Sequence, residues 1–64
     1  MTITERLNKV GKLVKSGDYK TADKQIDTLW NDYNNGVFFD EDDEVYLTIL
    51  TDEICAYLYE NKGV

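Results

Sequence analysis

Two glycine-centred breaks divide this chain into three segments, and they constrain its fold more than any other feature. Gly17 follows a serine and Gly36 follows two asparagines. Glycine commonly occupies the left-handed position just beyond a helix, so each break predicts a helix end. Proline is absent, and no segment shows the two-residue alternation of a half-buried strand. We therefore predict an all-α, small three-helix bundle, a helical hairpin plus a longer third helix. It forms a single domain over 1–64, with helices at about 3–16, 19–34 and 41–61.

The first two segments have the pattern of amphipathic helices. Thr2 and Glu5 have the spacing of a capping box at the first helix, and Asp18 can cap the second. The link between the two helices is so short that they must lie antiparallel. Their apolar residues recur at helical spacing, on the stripes Ile3, Leu7, Val10 and Val14, then Tyr19, Ala22, Ile26, Leu29, Trp30 and Tyr33. We assign Trp30 to the core.

The stretch "KSGDYKTADKQIDTLW" resembles part of a tetratricopeptide-type hairpin, in which Gly-Asp-Tyr precedes an alanine-containing helix. The resemblance covers the turn and the beginning of the second helix. It implies a helical hairpin. No repeat follows, and a single hairpin cannot form a solenoid, so we interpret the stretch as hairpin sequence without family membership.

The third segment is the longest and carries two apolar stripes. Val37, Phe38 and Phe39 form an apolar connector, whose rings we expect to plug one end of the core. Asp40 is the expected N-cap and Gly63 the expected terminator. The main stripe consists of Tyr46, Leu47, Leu50, Ile54, Tyr57 and Leu58, and a smaller second stripe of Val45, Ile49 and Ala56.

The residue inventory excludes most catalytic chemistry. Histidine is absent and Cys55 is the single cysteine, which removes Ser-His and Cys-His catalysis, internal disulfides and a structural zinc site. We expect Cys55 to be a part-buried packing residue, because acidic neighbours disfavour a reactive thiolate. Gly11 lies inside the first helix, where either a close neighbour requires glycine or the position tolerates it; we favour tolerance. We predict no enzyme activity, no cofactor and no metal.

Charge is distributed unevenly along the chain. The formal net charge is −6. Residues 1–24 have six basic and three acidic side chains, whereas residues 25–64 have one basic and ten acidic. The acidic excess disfavours direct binding to nucleic acid or to an anionic membrane. The free cysteine, with no leader and no span of membrane length, predicts a cytoplasmic protein.

Five consecutive carboxylates, from Asp40 to Glu44, lie at the start of the third helix, and two interpretations of them stay open. Acidic residues at a helix N-terminus are stabilised by the helix dipole, so the run could be a solvated helix start. Five exceed that need, and aromatic residues flank them, as in many protein-binding surfaces. The candidate partner-binding residues are Phe38, Phe39, Asp40, Glu41, Asp42, Asp43, Glu44, Asp52 and Glu53.

An acidic binding surface predicts a basic protein partner. Grooves that normally hold nucleic acid are such surfaces, and an array of carboxylates can occupy them as a nucleic-acid mimic. In type, the chain resembles small acidic proteins encoded by phages, including inhibitors of polymerases, restriction systems and CRISPR effectors. The alternative is a structural or assembly subunit that forms a homodimer or packs through Val45, Ile49 and Ala56, because an exposed apolar seam often marks association.

Overall fold

The computed structural model describes residues 1–62, with side chains described through Tyr59, and it confirms the three-helix bundle. Helix α1 spans Ile3–Lys15, α2 spans Tyr19–Asn34 and α3 spans Glu41–Lys62. Each helix contacts the other two. The described part of the chain contains no strand. The predicted terminator Gly63 lies outside the described residues.

The helix ends follow the local signals in the sequence. Thr2 and Glu5 form a complete capping box: the Thr2 hydroxyl accepts the Glu5 amide and the Glu5 carboxylate accepts the Thr2 amide, both at 3.1 Å. The backbone bond is also the main reason that the pKa of Glu5 lies below its ordinary value. Gly17 and Gly36 have φ angles of 85° and 93°, a left-handed conformation that other residues rarely adopt.

One apolar core lies between the three helices. It consists of Leu7, Val10, Val14, Ala22, Ile26, Leu29, Phe39, Leu47, Leu50 and Ile54, all of them buried. Fully burying a large aliphatic side chain contributes about 1.5–3 kcal/mol, so the three core residues from each of α1 and α3 supply much of the stability. Trp30 lies partly buried at the edge of this core, and its Nε1 donates to Thr51 Oγ1 at 2.8 Å.

Helices α1 and α3 approach closely at Gly11, so the prediction of simple tolerance there was wrong. Gly11 is buried. A Cβ at this position would overlap the Tyr46 hydroxyl and lie 3.4 Å from Tyr46 Cζ. The glycine provides the space in which the Tyr46 ring packs across α1.

Three other packing predictions also need correction. Phe39 alone plugs the core, whereas the adjacent Phe38 is 79% exposed, because consecutive residues in an extended connector point in opposite directions. Cys55 is exposed instead of part-buried, since it lies on α3 away from α1 and α2. Tyr57, placed on the main stripe, is 42% exposed and stacks on Tyr19 with ring centroids 3.8 Å apart.

Candidate protein-interaction face of helix α3

The five carboxylates at the start of α3 do not form one uniform cluster. Asp40 occupies the N-cap position directly before the helix, because its carbonyl accepts the first helical bond, from the Glu44 amide at 2.9 Å. The remaining four residues make up the first turn of α3. A helix turns through about 100° per residue, so these four side chains point in four different directions.

Asp43 points into the bundle. It is only 9% exposed, and the Thr4 hydroxyl of α1 donates to its carboxylate, at 3.0 Å from Oδ1 and 3.1 Å from Oδ2. As the third residue of α3 it also lies at the positive end of the helix dipole. Asp43 therefore ties α3 to α1, and it does not contribute to an exposed surface.

Glu44 is exposed but is engaged with α2. The Tyr33 hydroxyl donates to its Oε1 at 3.0 Å. This hydrogen bond is the main reason that the pKa of Tyr33 lies above its ordinary value, because ionising the phenol would remove the donated proton and add a second negative charge. The Tyr33 ring also meets Phe39 edge to face, with centroids 5.3 Å apart. Glu44 thus belongs to the contact between α3 and α2.

Asp40, Glu41 and Asp42 are the free members of the run. Their side chains are exposed, and none of the three side chains has a hydrogen bond or ion pair with a described residue. The acidic run is therefore divided: Asp43 and Glu44 hold helices together, whereas the other three face solvent. Neither interpretation of the run describes Asp43 or Glu44, and both still concern the carboxylates that face solvent.

The free carboxylates and the second apolar stripe share one side of α3. Positions 41, 45, 49, 52 and 56 are spaced by three or four residues, which aligns side chains along a helix. Residues 42 and 53 lie at the margin of this line. We call this set the outward face: Glu41, Asp42, Val45, Ile49, Asp52, Glu53 and Ala56, all of them exposed.

The outward face has an apolar centre and acidic ends. Val45 is 54% exposed and Ile49 is 47% exposed. Glu41 and Asp42 lie on one side of this aliphatic pair along the helix, and Asp52 and Glu53 lie on the other. Beyond the N-terminal end of α3, the exposed Phe38 ring adds a large apolar group. An apolar centre with a charged margin is the usual arrangement of a protein-binding surface.

The electrostatic character of this face is wholly negative. From Glu41 to Glu60 the chain contains no basic residue, so nothing on α3 neutralises the outward carboxylates within that range. The basic side chains cluster instead on α1, where Lys9 and Lys12 border an open cleft with Met1, Glu5 and Asn8. Arg6 is engaged internally, in an ion pair with Asp32 at 2.7 Å.

Among the described residues, no three carboxylate or thiol groups converge as a metal site. No helix in the same part of the chain has the length and apolarity to cross a membrane. Comparison with known proteins finds no matching family model, curated protein or solved structure.

Sequence reasoning missed two aspects of this site, although the spacing contained a signal for both. Asp43 shares the helical register of Leu47, Leu50 and Ile54, which marks it as inward. The second apolar stripe was assigned to self-association and the carboxylates to a partner, although Asp52 and Glu53 lie beside that stripe; the register also places Glu41 on the same face. Five consecutive acidic residues suggest a single surface, but adjacent residues of a helix point in different directions.

Proposed function

We propose that this protein is a non-catalytic binding module that attaches to a basic protein surface through the outward face of α3 and Phe38. The observation that carries the proposal is the exposed Val45–Ile49 pair bounded by free carboxylates on a helix stretch without any basic residue. An aliphatic centre provides affinity through desolvation, and a single sign of charge provides steering and partner choice.

The partner class that fits best is a nucleic-acid-handling protein. Its binding groove offers lysine and arginine side chains arranged for phosphates, and spaced carboxylates can occupy it in their place. The chain would then act as an inhibitor, of the kind that phages direct at polymerases, restriction factors or CRISPR effectors in the host cytoplasm. Attraction of this type speeds association and weakens as salt rises.

The proposed contact leaves out the residues that are buried or engaged with another helix. Phe39 and Asp43 are buried, and Glu44 is hydrogen-bonded to Tyr33. The contact set in this proposal is therefore Phe38, Asp40, Glu41, Asp42, Asp52 and Glu53 together with Val45, Ile49 and Ala56. A variant that neutralises Asp42, Asp43 and Glu44 together would disturb helix packing and binding at once, so it cannot separate the two roles.

The test is competitive capture from a nuclease-treated bacterial extract on the immobilised protein. We expect the retained proteins to be nucleic-acid-binding proteins that are released both by salt and by added double-stranded DNA. The double variant Glu41→Gln/Asp42→Asn should lose them. The matched control Asp27→Asn, at an exposed position on α2, should retain them. Retention by both variants, or no release by DNA, would contradict the proposal.

Self-association is the second candidate, and the exposure of Val45 and Ile49 favours it. A homodimer through this pair would bury the seam and supply the extra stabilisation that small domains often need. Salt should strengthen the homodimer, because it screens the repulsion between two acidic faces, whereas it should weaken binding to a basic partner. Light scattering at low and high salt distinguishes them: a mass that doubles as salt rises indicates the dimer.

A further inference from the structure

The outward face has a positional pattern that reads the same in both directions. Six of its seven residues form this pattern, in the order Glu41, Asp42, Val45, Ile49, Asp52, Glu53: acidic pairs enclose an aliphatic pair symmetrically, and Ala56 lies beyond them. The two acidic pairs start eleven residues apart, at 41 and 52, which is about 16 Å along a helix at 1.5 Å per residue. A complementary surface therefore needs two basic clusters at that separation with apolar groups between them.

A second copy of the chain fits this spacing but not its charge. In an antiparallel pair of α3 helices, Val45 would meet Ile49 of the other copy, and Asp42 would meet the other copy's Asp52. A parallel pair would place identical carboxylates together. Like charges placed together across an interface oppose association, and two half-exposed aliphatic side chains per copy offer little to offset that repulsion. The charges thus disfavour the homodimer at neutral pH and favour a partner with basic groups at the same spacing.

The backbone of α3 limits the secondary structure that the partner segment can have. All peptide groups in the middle of a helix are bonded within it, so α3 offers no unpaired N–H or C=O groups with which an incoming strand could pair. A helix needs none of these, because it packs by its side chains against another helix at 8–10 Å between axes. Its side chains also recur on one face at intervals of three or four residues, as those of the outward face do.

We infer that the outward face of α3 binds a basic amphipathic helix of its partner, with lysine or arginine clusters eleven residues apart on either side of two aliphatic residues. This inference rests on the proposed function, since it specifies the segment of the basic protein that is contacted. The symmetry of the pattern permits the helix to bind in either direction, and Phe38 at one end provides an asymmetric apolar contact.

The test uses a designed peptide with the full-length protein. The probe is an alanine-based peptide, cross-linked on its far side to hold it helical, with lysine pairs eleven residues apart and two leucines between them. The control peptide has the same composition, but its leucines lie on the opposite face. Binding is followed by fluorescence anisotropy, and the contacted residues are identified from amide chemical shifts of the labelled protein.

We expect the probe to bind at least about tenfold more tightly than the control peptide, since one well-placed apolar contact accounts for that ratio. Ile49→Ser, which keeps the charge, should weaken probe binding about tenfold. Asp52→Asn should weaken it about threefold, the effect of one exposed charge pair, whereas Asp27→Asn should leave it unchanged. Shifts should concentrate on 41–56.

Equal binding of both peptides would overturn the inference, because net charge alone would then explain attraction. Unchanged binding by Ile49→Ser would overturn it as well, provided that circular dichroism shows the variant to be folded. If the probe fails while DNA-displaceable proteins are still captured, the helix inference fails and the proposed function stands. If the probe binds as expected while capture fails, the helix inference is supported and the nucleic-acid-handling partner class is rejected.

Discussion

Helix α3 has one face toward the bundle and one toward solvent, and each face carries one isoleucine and one aspartate. The two isoleucines therefore have different surroundings, and so do the two aspartates. Ile54 is fully buried, whereas Ile49 is half exposed. Asp43 is buried against Thr4 of α1, whereas its neighbour Asp42 faces solvent. The residue types are the same, so composition does not distinguish a structural residue from one available to a partner. The angular position of a residue around the helix axis distinguishes them, and adjacent positions can have entirely different surroundings.

The isoleucines provide the most severe test of this comparison. Ile54→Ala should reduce the free energy of unfolding by about 2–5 kcal/mol, because it leaves a cavity in the core. Ile49→Ala should change it by no more than about 0.5 kcal/mol, as expected at a surface position. Urea denaturation followed by circular dichroism measures both.

Ile54→Ala could leave too little folded protein, since a domain of this size has only about 3–10 kcal/mol of stability. The milder pair Ile54→Val and Ile49→Val keeps the comparison measurable, with about 0.5–1.5 kcal/mol expected for the buried position. Equal losses at 49 and 54 would mean that the outward face is covered, and the distinction between the faces would collapse.

Gly11 tests the boundary of the inward face, where Tyr46 crosses α1. Gly11→Ala should destabilise the protein by about 1–3 kcal/mol, because the new Cβ overlaps the Tyr46 hydroxyl and the ring must move. The same change in a Tyr46→Phe background should be neutral or stabilising, since alanine is favoured over glycine in a helix by about 1 kcal/mol. Thermal denaturation of the four proteins in this cycle gives the coupling. No coupling would mean that the two helices do not approach closely at this point.

Asp42 and Asp43 allow the same comparison with two identical side chains at adjacent positions. Asp43→Asn should cost about 1 kcal/mol more than Asp42→Asn, because it replaces a charge-assisted bond from Thr4 with a neutral one. Both changes remove one negative charge from the same helix turn, so the relief of repulsion is similar. Chemical denaturation at pH 7 measures the difference. A larger loss from Asp42→Asn would reverse the assignment of inward and outward carboxylates.

Tyr33 provides a smaller, pH-dependent effect on the inward side. Its pKa is raised above the ordinary value of 10.0, first by the hydrogen bond to Glu44. The protonated phenol is the form that the fold stabilises, so this contribution is present below pH 10 and is lost as the pH rises through the raised pKa. Ultraviolet absorbance should show a late phenol ionisation that disappears in Tyr33→Phe and moves to lower pH in Glu44→Gln. An unmoved transition in Glu44→Gln would show that the bond is absent in solution.

The capping box of α1 should have the smallest effect on stability, and this effect should depend on pH in the acidic range. The pKa of Glu5 is lowered from 4.5, chiefly by the Thr2 amide. The fold stabilises the ionised carboxylate, so the contribution is present above pH 4.5 and is lost as the pH falls through the lowered pKa. The stability difference between the parent protein and Glu5→Gln should therefore shrink on acidification, as measured by denaturation at pH 7 and pH 3. A constant difference would mean that the box is not formed.

The fold was predictable because its signals are local. Thr2 with Glu5, Gly17 and Gly36 mark helix ends through contacts within a few residues of themselves, and the predicted bounds lie within one residue of those observed. The close approach at Gly11 was not predictable in this way. It depends on Tyr46, which is distant in sequence, and a lone glycine in a helix does not reveal its neighbour.

The candidate site was predictable only in part, for a related reason. The free carboxylates and the exposed aliphatic residues were all identified, yet Asp43 and Phe39 were included with them. Register would have separated Asp43, because it repeats at helical intervals with Leu47 and Leu50. The direction of Phe39 depends on the path of the connector before α3, and two consecutive phenylalanines give no indication of which one turns inward.

The arrangement of contacts along the chain also determines when this protein can fold. Residues 16–18 alone separate α1 from α2, so this hairpin closes a very short loop, and helical bundles with such local contacts fold in about microseconds to milliseconds. Leu47, Leu50 and Ile54 complete the core from the last third of the chain, and the Thr4–Asp43 bond joins residues 39 positions apart. Ribosomes add only about 5–20 residues per second. Synthesis is therefore the slow step, and we expect the bundle to close almost immediately after α3 has been released.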